Sequence, residues 1–275
     1  MLFAVRLGGR LHGTIHREAI VSETRSDDIL TTRGLTIDFN GYVAVNNVDL
    51  SVRRGSIHAL IGPNGAGKTT CFNLLTRFLK PTSGTIEFNG QDVTKKPPAD
   101  VARCGLVRSF QISAVFPELT ALENVRIALQ RRKRGDSFDF WRSDRSLNAY
   151  NEEAYGLLAS VDLTDLASTR AGELSYGRKR SLELATTLAL DPELLLLDEP
   201  MAGMGHEDVD RIEQLIRTIS KTRTILMVEH NLSVVASLSD RITVLARGAI
   251  LAEGDYAAVS KDPRVIEAYI GAGHA

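Results

Sequence analysis

The stretch Gly62-Pro63-Asn64-Gly65-Ala66-Gly67-Lys68-Thr69-Thr70 constrains this chain more than any other feature. It fits the pattern G-x-x-x-x-G-K-[ST], and its flanks suit the pattern as well as its letters do. Before it, Ser56-Ile57-His58-Ala59-Leu60-Ile61 is a short apolar run that predicts a buried strand. After it, Cys71 to Leu79 places apolar residues at helical spacing. A strand, a glycine-rich turn and a helix in that order form a cradle for phosphate. The glycines let backbone N–H groups converge on one point, and the helix start adds a partial positive charge. Lys68 is placed to reach the outer phosphates from outside the core, and the Thr69 hydroxyl to ligate a magnesium ion. A glycine-rich turn with a chance lysine would not bring both flanks with it.

A chain of 275 residues, 43% of them hydrophobic, can bury a substantial core as one large domain or one domain with a smaller insert. Its 33 basic and 34 acidic residues give a net charge of −1, which argues against a nucleic-acid binder. Two cysteines, Cys71 and Cys104, cannot build a disulfide framework and suit a reducing cytoplasm. Cys71 reads as a small packed residue on the first helical turn. No apolar run approaches the roughly 20 residues that span a bilayer. Arg6 and Gly8 also interrupt the start too early for a secretory signal. Work at a membrane would therefore need a partner to hold the chain there. Residues 1–28 show no period and are expected to form a flexible extension ahead of a domain at 29–275.

Leu35 to Phe39 and Val43 to Val52 alternate like half-buried strands, with the turn signal Asn40-Gly41 between them. Thr85-Ile86-Glu87-Phe88 followed by Asn89-Gly90 predicts another strand and turn. From about Pro117 to Arg170 the chain becomes helical and charged, including Arg131-Arg132-Lys133-Arg134 and the single Trp141. That basic run reads as a solvated helix face. Beyond Leu174, helix and buried strand alternate as far as Arg241 to Ala246 and a short C-terminal helix.

Leu194-Leu195-Leu196-Leu197-Asp198-Glu199-Pro200 is the second strong motif. Four leucines mark a strand buried on both faces, as in the middle of a parallel sheet. Its acids fall at the carboxyl end, where open α/β sheets bind ligands. Asp198 can hold magnesium through water, and Glu199 can polarise the water that attacks a γ-phosphate. Between the two motifs, Leu174-Ser175-Tyr176-Gly177-Arg178 precedes a helical run from Lys179 to Leu190. Ser175 offers an N-cap, and the helix start offers free N–H groups to an anion.

With Gln111 after the phosphate loop and His230 after the leucine-rich strand, the motif order resembles the ATP-binding subunit of ABC transporters, from about Leu30 to Gly271. The resemblance implies an α/β P-loop nucleotide-binding domain with a mostly parallel core sheet, an antiparallel β subdomain and a helical subdomain at about 112–190. It also implies an ATPase using ATP and Mg²⁺. By the same resemblance Phe39 stacks on adenine, with Tyr42 as its rival across the turn. Gly62, Pro63, Asn64, Gly65, Ala66, Gly67, Lys68, Thr69 and Thr70 cradle the phosphates. Glu199, His230, Lys68 and Gln111 serve catalysis, while Thr69, Gln111 and Asp198 serve the metal. Ser175 and Gly177 reach the nucleotide of a second ATP-binding subunit, identical or not.

The implied partners are transmembrane permease subunits and, indirectly, a solute-binding protein, at the cytoplasmic face of the inner membrane. Ala44 to Val48, Arg108-Ser109-Phe110-Gln111, Leu174 to Gly177 and Val265 to Gly271 are similar to branched-chain amino-acid importers, which implies import of branched-chain amino acids or a related small polar solute. The alternatives are the ATPase of lipopolysaccharide export, similar in length and motif order, and a soluble ABC ATPase. The latter would need long heptad arms or a second cassette, which the sequence lacks. Tyr176 and Arg178 replace the usual glycine and glutamine of the signature. Gly205 stands where the family usually places Asp or Asn, a position that couples the two sites of a dimer.

Overall fold

The chain enters the fold as one long strand, β1 (Asp28–Phe39). In the computed structural model, which describes residues 27–109, 115–132 and 148–271, β1 turns tightly into β2 (Tyr42–Val48). Asn40 and Gly41 take φ values of 53° and 97°, the paired left-handed conformation of a two-residue hairpin turn. The second strand, expected to continue through Val52, is interrupted. Asn47 bends the backbone with a φ of 50°, and β3 (Ser51–Arg53) pairs separately with the start of β1.

β4 (Ile57–Ile61) feeds α1 (Lys68–Leu75) through the glycine-rich turn. The helix ends four residues before the expected Leu79, because Arg77 adopts a left-handed φ of 63° that no helix continues. β5 (Ser83–Phe88) and β6 (Gln91–Asp92) form a second hairpin around Asn89 and Gly90. α2 (Pro98–Arg103) and β7 (Leu106–Ser109) follow. Next come α3 (Ala121–Arg132), α4 (Asn151–Ser160) and α5 (Tyr176–Leu188). The chain then runs through β8 (Leu194–Asp198), α6 (His206–Ser220), β9 (Thr224–Val228) and α7 (Leu232–Leu238). It closes with β10 (Arg241–Ala246), β11 (Ala249–Gly254), α8 (Tyr256–Val259) and α9 (Pro263–Gly271). Residues 1–26, Phe110, Gln111, Lys133, Arg134 and Trp141 lie outside the described residues.

Two sheets result. The larger has the order β11-β10-β4-β9-β8-β7, parallel from β10 to β7 with β11 antiparallel at its edge. The smaller is antiparallel, ordered β2-β1-β5-β6 with β3 also on β1. The larger sheet separates two cores, and its strands alternate between them. Leu195 and Leu197 of β8 join Ile225 and Met227 in the core beneath α3 to α7. Leu194 and Leu196 join Leu60, Leu226 and Val228 in the core shared with α1 and the antiparallel sheet. This explains why β8 reads as an unbroken apolar run. Truncating one of these leucines to alanine would cost about 2–5 kcal/mol. Among the described residues, no helix is long and apolar enough to cross a membrane.

Candidate functional site

Three parallel strands end at one level. Leu60 pairs with Val228, and Val228 with Asp198, so the segments after β4, β8 and β9 leave the sheet together. Brought side by side in this way are the loop from Gly62, the pair Asp198 and Glu199, and the segment Glu229 to Asn231.

The loop needs its glycines for close approach. A Cβ on Gly62 would sit 2.1 Å from the Leu245 carbonyl oxygen, and one on Gly67 would sit 2.5 Å from that of Ala44. Ala66 is buried, while Asn64, Gly65 and Thr69 are exposed on the open side of the loop. Lys68 begins α1. Its ammonium donates to the Gly62 and Pro63 carbonyls at 2.7 and 3.0 Å, which closes the loop over it. Contrary to expectation, Lys68 is buried. Burial lowers its pKa, and the negative charges of Glu199 and Asp198 partly counter that effect. Cys71 is fully buried, and its thiol pKa is pushed up to about 12, which makes it a packing residue.

Asp198 ends β8 fully buried. One carboxylate oxygen pairs with Arg108, and the other, Oδ1, has no hydrogen-bond partner among the described residues. Glu199 then takes a left-handed φ of 46°, a conformation costing about 1–3 kcal/mol for a residue with a side chain. This turns the chain sharply off the sheet and leaves the Glu199 side chain half-buried at its edge. Arg180 of α5 braces the same point, donating to the Asp198 carbonyl at 3.2 Å and pairing with Glu183 at 2.7 Å. Glu229 is also buried, and it was not singled out from sequence. Its carboxylate accepts N–H bonds from His230, Asn231 and Met201. An acid directly after the apolar strand Thr224–Val228 is the signal that could have found it.

The remaining residues fall in two places. Phe39 and Tyr42 face each other across the β1–β2 turn, 45% and 66% exposed. Further along β2, Ala44 and Val45 lie against Gly67, so that hairpin leans on the phosphate loop. His230 is exposed, two residues past the carboxyl end of β9. Ser175 and Gly177 are elsewhere, at the start of α5. Ser175 caps the helix by accepting from the Arg178 N–H, and a Cβ on Gly177 would meet the Asp208 carboxylate at 2.3 Å. The Tyr176 hydroxyl donates to the Ala202 carbonyl at 3.1 Å, and Arg178 pairs with Asp162 at 3.0 Å. Both replacements in the signature are thus tied within the chain, one to the segment leading into Gly205. Gln111 lies outside the described residues.

The sequence profile of the ABC transporter family matches residues 45–202, from β2 to just beyond Glu199. The chain belongs to the ABC transporter family. A second profile, that of the branched-chain amino acid ATP-binding cassette transporter, matches residues 249–275 of this ABC ATPase. The cassette is 41% identical over 256 residues to the high-affinity branched-chain amino acid transport ATP-binding protein BraF of Pseudomonas aeruginosa, covering 90% of this chain and 99% of that one. It is 38% identical over 252 residues to LivG of Escherichia coli, covering 90% and 99%. A crystal structure of the ADP conformation of an ATP-binding cassette of an ABC transporter aligns with a TM-score of 0.77 and 32% identity, covering 90% and 100%. A nucleotide-free cassette aligns with a TM-score of 0.78 at 32% identity. The fold is that of an ABC ATPase, an α/β P-loop domain that binds and hydrolyses nucleotide.

The ABC cassette's site suits a magnesium nucleotide. Magnesium prefers oxygen ligands and is commonly held by one or two protein groups plus substrate phosphates. Asp198 Oδ1, without a hydrogen-bond partner among the described residues, and the hydroxyl of the exposed Thr69 are such oxygens.

Proposed function

We propose that this chain is the ATP-hydrolysing subunit that powers a branched-chain amino-acid importer, attached to permease subunits on the cytoplasmic face of the membrane. The observation that carries the chemistry is the meeting of Lys68, Asp198 and Glu199 where the parallel strands end. Lys68 exchanges its two carbonyl contacts for the outer phosphates, while Gly62 to Thr70 direct backbone N–H groups at them. Thr69 and Asp198, with Gln111, would hold magnesium, whose charge would neutralise the phosphate oxygens. Glu199 takes the proton of the attacking water, and His230, past the carboxyl end of the adjacent strand β9, steadies the γ-phosphate. Phe39 receives the adenine.

Ser175 and Gly177 start a helix flanked by Asp208 and Asp162, and Ser175 is exposed. We assign them to the nucleotide of a second cassette, so that ATP is held between two subunits packed head to tail. ATP then binds the closed dimer better than the open one, and hydrolysis reverses the preference. The cargo follows from the relatives, which are named for branched-chain amino acid transport and match nearly end to end.

The test is reconstitution of the chain with its membrane subunits in vesicles, followed by ATP-driven uptake of labelled leucine. Glu199→Gln should lower hydrolysis by about 10²–10⁴-fold, the usual contribution of a general base. ATP binding should persist, and an ATP-dependent dimer should accumulate on a sizing column. Hydrolysis at the wild-type rate would remove Glu199 from this role. Uptake of another solute in place of leucine would overturn the cargo.

A further inference from the structure

The two oxygens of the Asp198 carboxylate have different fates. Oδ2 is paired with Nη2 of Arg108, in a bridge whose side chains are 9% and 0% exposed. Oδ1 is buried and has no hydrogen-bond partner among the described residues. The guanidinium is itself held from α1: its Nη1 donates to Asn73 Oδ1 at 2.5 Å, and its centre lies 5.8 Å from the Phe72 ring centroid. Arg108 sits on β7, the strand in register beside β8. One side chain therefore joins the helix that begins at Lys68 to the carboxylate that ends β8.

A carboxylate fully removed from water needs a counter-charge. Any cation would meet that need, but this geometry asks for more. The planar fork of arginine presents separate N–H groups in fixed directions, so contact with Asn73 sets the plane and the plane sets which Asp198 oxygen is taken. With Oδ2 taken, only Oδ1 is left. We propose that Arg108 is a positioning residue for ATP hydrolysis. It rotates Asp198 so that Oδ1 alone is presented to the metal–nucleotide, and Asn73 fixes Arg108 for that task. The proposal rests on Asp198 serving magnesium, as argued above. Outer partners of metal ligands act in this way, fixing the ligand's orientation without touching the metal.

The experiment measures binding and needs no turnover. The purified chain is titrated with an anthraniloyl-labelled ATP in excess EDTA and in excess Mg²⁺, and the ratio of the two Kd values isolates the metal-dependent part. Arg108→Met should shrink that ratio about ten-fold, the lower end of the loss seen on removing an outer partner of a metal ligand, with the EDTA value close to wild type. Asn73→Ala leaves both charges in place and should shrink it less, in the same direction. Arg108→Lys should fall between wild type and Arg108→Met. A ratio unchanged in Arg108→Met, with only a lower melting temperature, overturns the proposal. If that variant fails to fold, an unchanged ratio in both Asn73→Ala and Arg108→Lys overturns it equally. Asp198→Asn separates this proposal from its foundation. If Asp198→Asn leaves the ratio intact, Asp198 does not serve the metal and both readings fail. If it collapses the ratio while the Arg108 and Asn73 variants do not, only the role of Arg108 fails.

Discussion

Glu229, just past β9, holds Met201 in the turn beyond β8, accepting its backbone N–H on Oε1 at 3.2 Å. Its Oε2 accepts from His230 and Asn231 at 3.1 and 3.3 Å. One buried carboxylate thus fixes the turn after Glu199 relative to the segment bearing His230. Glu229→Ala would strip an acceptor from three backbone donors. A single hydrogen bond to a charged group contributes about 1.5–3 kcal/mol, so a loss of at least that size is expected in denaturant unfolding. Hydrolysis should fall more than ATP affinity does, because the turn and His230 lose their common anchor while Gly62 to Thr70 stay intact. Equal losses in the two would place the effect in the phosphate loop instead.

Lys68→Ala should abolish ATP binding and also lower stability. The second effect follows from the structure, where the ammonium satisfies the Gly62 and Pro63 carbonyls. Leaving them without that donor should cost about 1–3 kcal/mol, with the fold retained. Isothermal titration with ATP and a urea unfolding curve read the two effects separately. Binding at wild-type affinity would contradict the role given to this loop.

Phe39→Ala should weaken ATP binding without changing stability, since the ring is exposed at the hairpin tip. Base–aromatic stacking of about 1–3 kcal/mol corresponds to a rise in Kd of roughly 5- to 150-fold. Tyr42→Ala is the control, because Tyr42 is the cross-strand partner of Phe39 and is also exposed. A loss confined to Tyr42→Ala would transfer the adenine to that ring.

His58 makes stability depend on pH. It is buried on β4, where burial and then the nearby Arg241 charge push its pKa from 6.5 down to about 4. The Thr243 hydroxyl donates to Glu253 at 3.2 Å and so accepts from His58 Nε2, 2.8 Å away, which keeps the proton on that nitrogen. The unfolded chain takes up a second proton near pH 6.5, but the folded chain only near 4. Stability is therefore full above 6.5 and falls as pH drops towards 4. The loss at pH 5.5 is about 1 kcal/mol, approaching about 3 kcal/mol below pH 4. His58→Asn should flatten the dependence of the urea midpoint between pH 7.5 and 5.5. An unchanged slope would show that other groups set it.

Much of the fold was legible because its signals are local. Asn40-Gly41 announces a hairpin, Leu194 to Leu197 a doubly buried strand, and Gly62 to Lys68 a turn whose Gly62 and Gly67 have no room for a side chain. The end of α1 was not legible. Phe78 and Leu79 keep the apolar pattern going, but Arg77 has already left helical geometry, and periodicity carries no information about one residue's φ. The partners of Asp198 were hidden for another reason. Arg108 lies 90 residues earlier, and only the adjacency of β7 and β8 brings the two together. Glu229 carries no mark of its role in sequence, since a carboxylate's hydrogen bonds to distant backbone leave no trace there. The left-handed turn at Glu199 was equally invisible.

The alternation of Leu194 to Leu197 between two cores limits how this sheet can change over time. Exchanging one aliphatic residue for another alters a single contact. Losing or gaining one residue reverses the parity of the strand, sending every leucine to the opposite core and turning Asp198 away from Lys68. The central strands can drift in composition but not in length, and the phosphate site inherits its geometry from that fixed count.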